Sequence, residues 1–306
     1  MKILNVESIR KTFNDHAAVD NVSFALEEGQ IFGLISPNGA GKTTTIRMIM
    51  NVIVPDSGQI TVLGQPNNGN ATNVIGYLPE ERGMYRKMKV GELLLFLTKL
   101  KSMKSRGVKQ QIDYWLNRLD IADWKQKKIE ELSKGMQQKV QFIATILHKP
   151  KLLILDEPFG GLDPINANLI KDIIMELKQN GTTIIFSTHV MESAEKLCER
   201  IFLINKGKQV LHGALSDIKK QFGRQNVLLE YEGNDGFLKT SSYIKKFDNY
   251  GNYVEIQLAN LADSQKLLAE AMAAVTIRKF EIKEPSLNDI FIETVNSKNR
   301  EEADHE

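Results

Sequence analysis

The chain has 306 residues, 42% of them hydrophobic, which is enough for one large domain or for a domain with a smaller companion. Forty basic and 38 acidic residues are interspersed for a net charge of +2, so the chain shows no footprint for nucleic acid. Cys198 is the only cysteine, which excludes a disulfide framework and points to a reducing compartment. The N-terminus has no long apolar signal region, and the most apolar stretches, around 151–155 and 182–187, fall far short of the ~20 residues of a membrane span. If the protein works at a membrane, it must dock onto another chain.

Taken in chain order, Ile3 to Ile9 and Val22 to Leu26 alternate as strands, the second closed by Glu27-Glu28-Gly29. Ile31 to Ile35 is a short apolar run of the kind that forms a buried parallel strand. Thr44 to Met50 reads as a helix, Pro55 to Gly58 as a turn and Gln59 to Leu63 as a strand. Between Gly91 and Glu131 the chain becomes rich in Leu, Lys, Gln and Met at helical spacing, a helical insertion. Met136 to His148 is an amphipathic helix ending before Pro150. Leu152 to Leu155 and Thr183 to Ser187 are apolar strands separated by a helix over Pro164 to Gln179, with Gly181 placed as its C-terminal cap. Strand–helix–strand order of this kind implies a parallel sheet. Ile201 to Asn205 and Gln209 to His212 flank Lys206-Gly207-Lys208 as a hairpin. From Asp217 the pattern changes to strands at Val227–Tyr231, Tyr253–Leu258 and Val275–Ile282, with a helix over Ser264–Ala274. The organisation expected is a first domain over 1–216 with a helical subdomain at about 84–148, a small α+β domain over 217–295 and a polar, frayed tail over 296–306.

The string Ser36-Pro37-Asn38-Gly39-Ala40-Gly41-Lys42-Thr43 joins the third strand to the first helix. A Gly-rich loop in that position turns several backbone N–H groups toward the positive end of the helix, and the group so formed binds phosphate. Lys42 adds a cation for the β- and γ-phosphates, Thr43 offers its hydroxyl to Mg²⁺, and Thr44 follows in the same first turn. The usual pattern GxxxxGK[ST] begins with Gly. Here Ser36 takes that place, with a hydroxyl that could face phosphate. Further on, Leu152-Leu153-Ile154-Leu155-Asp156-Glu157-Pro158 is an apolar strand ending in two acids, which a parallel sheet delivers to the edge where ligands bind. Asp156 can hold Mg²⁺ through a water and Glu157 can polarise an attacking water. The alternation of a strand would point the two side chains apart.

These motifs together resemble the nucleotide-binding domain of ATP-binding cassette (ABC) transporters, over Met1 to about Gly213. Leu132-Ser133-Lys134-Gly135-Met136-Gln137-Gln138 is similar to the family signature LSGGQ, with Lys134 and Met136 as departures. In the family, Ser133 and Gly135 would touch the γ-phosphate of ATP held by a second, head-to-tail subunit. Tyr77-Leu78-Pro79-Glu80-Glu81 lies where the family has its Q-loop, with Glu80 in place of the usual Gln, still an oxygen for Mg²⁺. Gly160-Gly161-Leu162-Asp163-Pro164 resembles the D-loop. The resemblance makes His189 the switch histidine and Phe13 the ring that stacks on adenine. The Gly33–Thr45 string, the Pro79–Gly83 stretch and Glu284-Pro285-Ser286-Leu287-Asn288-Asp289-Ile290-Phe291 resemble one subgroup, bacterial export ATPases of the NatA-type sodium-efflux kind.

What the resemblance implies is a P-loop NTPase of ABC type, α/β, with a mixed β core, antiparallel strands and a helical subdomain, followed by a small α+β C-terminal domain. It would be an ATPase using ATP and Mg²⁺, peripheral on the cytoplasmic face of the membrane. Its partners would be a transmembrane permease subunit and a second nucleotide-binding subunit. The cargo would be sodium ion or a drug or peptide. The alternative is a soluble ABC ATPase acting on ribosomes or DNA. The DNA-repair type needs a long coiled coil, whereas roughly ninety residues without sustained heptads separate Gly41 from Leu132. The ribosomal type carries two cassettes, and only one phosphate loop occurs here. The signature and His189 argue against a P-loop kinase or GTPase outside the family.

Overall fold

Apolar alternation at the N-terminus gives two long strands rather than two short ones. The computed structural model describes residues 2–81, 83–101, 107–222 and 226–303. Strand β1 (Lys2–Phe13) pairs antiparallel with β2 (His16–Glu27), well beyond the stretches that the alternation picks out. Ser8 and Asn21 take φ of +48° and +51°, and the register shifts on both sides of Ile9. Bulges of this kind break the period of two on which a strand is recognised in sequence, while the pairing itself continues to the Phe13–His16 hairpin end.

Strand β3 (Ile31–Ile35) leads through the Gly-rich loop into α1 (Lys42–Ile49). Strands β4 (Ser57–Val62) and β5 (Gln65–Pro66) complete a four-stranded antiparallel sheet of order β2-β1-β4-β5. After β6 (Ile75–Leu78) comes the helical insertion, α2 (Val90–Leu100) and α3 (Val108–Arg118), and then α4 (Lys134–Ile146). The chain continues through β7 (Leu152–Asp156), α5 (Pro164–Gln179), β8 (Thr183–Thr188), α6 (Met191–Leu197), β9 (Arg200–Asn205) and β10 (Lys208–Ala214). Between the last two, Lys206 and Gly207 both have positive φ, as a two-residue type I′ hairpin turn requires. The second sheet has the order β10-β9-β3-β8-β7-β6, and its pairs from β9 through β6 are parallel. Every residue of β3, β7 and β8 is buried. Both faces of the sheet are therefore covered, and that is why these strands read as unbroken apolar runs.

The two sheets and α1 share one core. Phe24 of β2 stacks on Phe32 of β3 at 5.3 Å between ring centroids and meets Phe202 of β9 at 4.9 Å, while Ile46, Met48 and Ile49 of α1 join the same cluster.

A second compact unit begins at Ala214, against a boundary after residue 216 expected from the change of pattern. It contains α7 (Leu215–Gln221), β11 (Asn226–Glu232), α8 (Phe237–Thr240), β12 (Ile244–Asn249), β13 (Val254–Leu258), α9 (Ser264–Ala274), β14 (Thr276–Lys283) and α10 (Leu287–Ala303). Its sheet is antiparallel, order β12-β13-β11-β14, over a core of its own that includes Val227, Leu229, Ile256 and Leu267. The frayed tail expected from residue 296 is corrected here: α10 runs on to Ala303. Its start is fixed by a reciprocal cap, in which the Asp289 N–H donates to Ser286 Oγ at 3.2 Å while the Ser286 hydroxyl donates to Asp289 Oδ2 at 2.6 Å. A helix so nucleated continues through polar residues that show no apolar stripe. Residues 304–306 of the expected tail, residues 102–106 of the expected helical insertion and Arg82 of the Pro79–Gly83 stretch lie outside the described residues.

Phe202→Ala removes the ring shared by both sheets, and it is expected to cost about 3–5 kcal/mol in urea or thermal unfolding of the first unit.

Candidate active site

Strands β3, β7 and β8 run parallel, so their carboxyl ends and the residues that follow reach one edge of the sheet. Lys42 opens the helix after β3, Asp156 ends β7 with Glu157 next, and Thr188 ends β8 with His189 next. Lys42 Nζ lies 3.1 Å from Glu157 Oε1. The same oxygen accepts the His189 backbone N–H at 2.7 Å and lies 2.6 Å from His189 Nδ1, and Glu157 Oε2 accepts the Thr188 hydroxyl at 3.0 Å. Asp156 is buried, and its Oδ1 accepts the Ser187 hydroxyl at 2.6 Å.

The two carboxylates do not part by strand alternation, as the sequence suggested. Glu157 has left the strand and takes φ +49°, a left-handed conformation that a side chain other than glycine or asparagine rarely adopts. That turn aims its carboxylate at Lys42 and His189. Strain of this kind is typical of functional positions.

The loop from Ser36 to Gly41 is held from below. Gly41 has φ +108°, and a Cβ there would stand 2.4 Å from the Ala18 carbonyl oxygen, so only glycine fits. The Gly207 N–H donates to the Ala40 carbonyl at 2.9 Å, and the Asp20 N–H donates to the Gly207 carbonyl at 2.8 Å. Gly39, at φ +76°, has open space where its Cβ would be. No side chain caps α1, which leaves the backbone N–H groups at Lys42, Thr43 and Thr44 available at the helix end. Ser36 is fully buried and its hydroxyl donates to the Pro37 carbonyl at 2.9 Å, so it braces the base of the loop.

Beside this edge lies a cavity of about 470 Å³ whose lining includes Thr43, Arg47, Tyr77, Glu80, Gln141 and Asp156. The three oxygen donors expected at a metal, Thr43, Glu80 and Asp156, are thus brought together. Arg47, Tyr77 and Gln141 were not singled out from the sequence. Arg47 could have been, since it lies one helical turn after Thr43 on the same face of α1. Burial and then the Asp156 charge push the Tyr77 phenol up to about 12, so it is a neutral group at the wall.

Ser133 and Gly135 are not among the residues lining this cavity. Ser133 caps α4, its Oγ accepting the Met136 N–H at 3.2 Å. A Cβ on Gly135 would meet the Gly161 carbonyl oxygen at 3.4 Å, and Gln138 Nε2 donates to the Pro158 carbonyl at 3.2 Å, so the signature segment packs on the loop after β7. In that loop Asp163 caps α5. Phe13 is 45% exposed at the tip of the β1–β2 hairpin, next to the Ala17–Ala18 segment that abuts Gly41, with the Lys11 ammonium 5.8 Å from its ring centre.

Comparison with known proteins agrees with this geometry. A family model described as "ABC transporter" matches residues 19–160, and one described as "ATP-binding protein DrrA1-3-like, C-terminal domain" matches residues 213–295. The chain is 47% identical over 293 residues to YhaQ of Bacillus subtilis (strain 168), an uncharacterized ABC transporter ATP-binding protein, covering 96% of this chain and 98% of that one. This chain belongs to the ATP-binding subunits of ABC transporters. The linearmycin resistance ATP-binding protein LnrL of the same organism is 32% identical, with 95% and 97% of the two chains covered. A solved ATP-binding subunit of an ABC transporter superimposes with a TM-score of 0.69 at 29% identity, over 72% of this chain and 93% of that one.

As an ABC ATPase the protein binds and hydrolyses ATP. Burial alone would push the Glu157 carboxyl up, but the Lys42 charge and hydrogen bonds from His189 and Lys42 outweigh it and hold the group below the usual carboxylate range. Asp156 goes the other way: burial raises it, and the Ser187 hydroxyl and Lys42 only partly offset that. An acid depressed in the folded state adds stability that is complete above its unfolded value, here 4.5, and is lost as pH falls through the folded one. In Lys42→Met the burial of Glu157 is no longer opposed by that cation, so its carboxyl should rise. The stability gap between wild type and Lys42→Met, measured by urea unfolding, should therefore be widest at neutral pH and narrow as pH falls through the carboxylate range.

Proposed function

We propose that two copies of this chain, or this chain and a homologous subunit, close head to tail around ATP and so drive export through a separate membrane-spanning subunit. The observation that carries the reading is Glu157, turned into a left-handed conformation with its carboxylate on Lys42 and His189. In this reading Asn38, Gly39, Ala40, Gly41, Lys42, Thr43 and Thr44 bind the phosphates, Phe13 stacks on adenine, and Ser133 and Gly135 serve the nucleotide of the opposite subunit. ATP draws Lys42 toward its phosphates. Glu157 then keeps its burial but loses its cation, its proton affinity climbs, and it becomes a better base toward water. His189, on the same carboxylate, orients that water. The remaining acceleration is positioning and electrostatics.

The residues also suit Mg²⁺. Thr43, Asp156 and Glu80 supply hard oxygen donors to one cavity. Among the described residues no three His, Cys, Asp or Glu side chains cluster closely enough to hold a metal unaided. When bound, the ion would complete its shell with phosphate and water and would neutralise phosphate charge.

No helix among the described residues is long and apolar enough to cross a membrane. In this reading the chain is peripheral on the cytoplasmic face, docked against a permease. The helical insertion and the Glu80 loop are the docking region in this reading. The resistance function named for LnrL supports a drug-like cargo, and the subgroup resemblance supports sodium.

Glu157→Gln keeps the shape and loses the base. It is expected to bind ATP as wild type does, to lower turnover by about 10²–10⁴-fold, and to accumulate as an ATP-dependent dimer in size-exclusion chromatography. Cells carrying it as their sole copy should fail to extrude sodium or an organic drug. Turnover and efflux near wild type would remove Glu157 from the role of base.

A further inference from the structure

One buried acceptor, on a residue that lines the cavity beside the sheet edge, is unclaimed. Gln141 sits on α4 and is only 8% exposed, and its Oε1 is buried with no hydrogen-bond partner. The residue lines the same cavity as Thr43, Tyr77, Glu80 and Asp156. Its neighbours on the helix are committed elsewhere. Gln138, one turn before, donates to the Pro158 carbonyl, and Thr145, one turn after, donates its hydroxyl to the Gln141 backbone carbonyl at 2.8 Å. Buried side-chain oxygens of this kind are nearly always satisfied, by protein, by water or by an ion. An amide oxygen can only accept, so the partner must bring a proton or a positive charge. The cavity wall already holds the hydroxyl and carboxylates suited to a divalent cation that keeps several of its waters.

We propose that Gln141 is a positioning residue of the cation site: its Oε1 accepts a hydrogen bond from a water on the divalent ion that Thr43 and Asp156 hold with ATP. The inference rests on the ATP-and-cation reading of the site given above. Gln141 would fix the orientation of that water from α4, whereas Thr43 and Asp156 approach from α1 and β7. The same helix begins at Ser133, eight residues earlier and about 12 Å along the axis. One rigid element would then reach the water shell of its own chain's cation and present the signature serine.

The test is Mn²⁺ titration followed by the electron paramagnetic resonance of the free ion, with the non-hydrolysed analogue AMP-PNP present or absent. Wild type should bind Mn²⁺ tightly only with the nucleotide. Gln141→Leu should bind AMP-PNP normally in EDTA but hold Mn²⁺ about 10–100-fold more weakly, the usual loss when a residue that orients a metal ligand is removed. Gln141→Glu, which keeps the oxygen, should retain tight binding. Should Gln141→Leu fail to fold, Gln141→Met has nearly the same shape and is read the same way. Unchanged Mn²⁺ affinity in the Leu or Met variant overturns the proposal, as does a Glu variant as weak as Leu, which would assign the loss to packing. A wild type whose Mn²⁺ binding ignores nucleotide would remove the cation reading itself, and this inference with it.

Discussion

Lys42 and Glu157 meet at 3.1 Å with both side chains almost wholly withdrawn from water, and the rest of the edge is arranged around that contact. The two residues follow β3 and β7, which are not neighbours: β8 runs between them. The ion pair therefore reaches across the end of β8, and the Thr188 hydroxyl and His189 backbone at that end bind the same carboxylate. Such a pair adds little stability over an apolar alternative, yet breaking one side costs about 3–5 kcal/mol because a charge is stranded. In the proposed reading the pair stores a switch: a phosphate offered to Lys42 would compete directly with Glu157, so that nucleotide arrival and activation of the base would be one event.

The contact holds only because the loop beneath Lys42 is fixed from three sides. Gly41 leaves no room for a Cβ against the Ala18 carbonyl, Gly207 of the β9–β10 turn ties Ala40, and Ser36 spends its hydroxyl within the loop. Ala18 lies on β2 of one sheet and Gly207 in the β9–β10 turn of the other, and the Phe24, Phe32 and Phe202 rings bind those sheets into one core. The serine that stands at the first glycine position of the loop is buried, with its hydroxyl on the Pro37 carbonyl at the base.

Much of this was legible in the sequence, and the reasons are physical. Strands β3, β7 and β8 are buried on both faces, so their apolar runs stood out and carried Lys42, Asp156, Glu157 and His189 to one edge. Helix α4 was readable from its amphipathic run, which ends before Pro150. The ends of β1 and β2 were hidden by bulges, which break the alternation while preserving the pairing. Helix α10 was hidden because its last residues are polar, although Ser286 and Asp289 form a capping pair that could have been seen. Gln141 lay beyond sequence reasoning. A glutamine inside a helix is ordinary until the structure shows its oxygen buried and unpaired on a residue that lines the same cavity as Asp156. Likewise the left-handed turn at Glu157 follows from tertiary contacts and leaves no mark in composition.

In the proposed reading the phosphate loop is half of a site, completed by Ser133 and Gly135 of another copy. Complementation tests it most directly. Lys42→Ala and Ser133→Arg should each be inactive alone as purified proteins. In a head-to-tail pair formed from one of each, the intact loop of the Ser133→Arg chain faces the intact signature of the Lys42→Ala chain. ATPase activity should therefore reappear when the two inactive proteins are mixed, and not when either is mixed with itself. No recovery, with mixed dimers demonstrated, would mean that each chain completes its own site and would contradict the account.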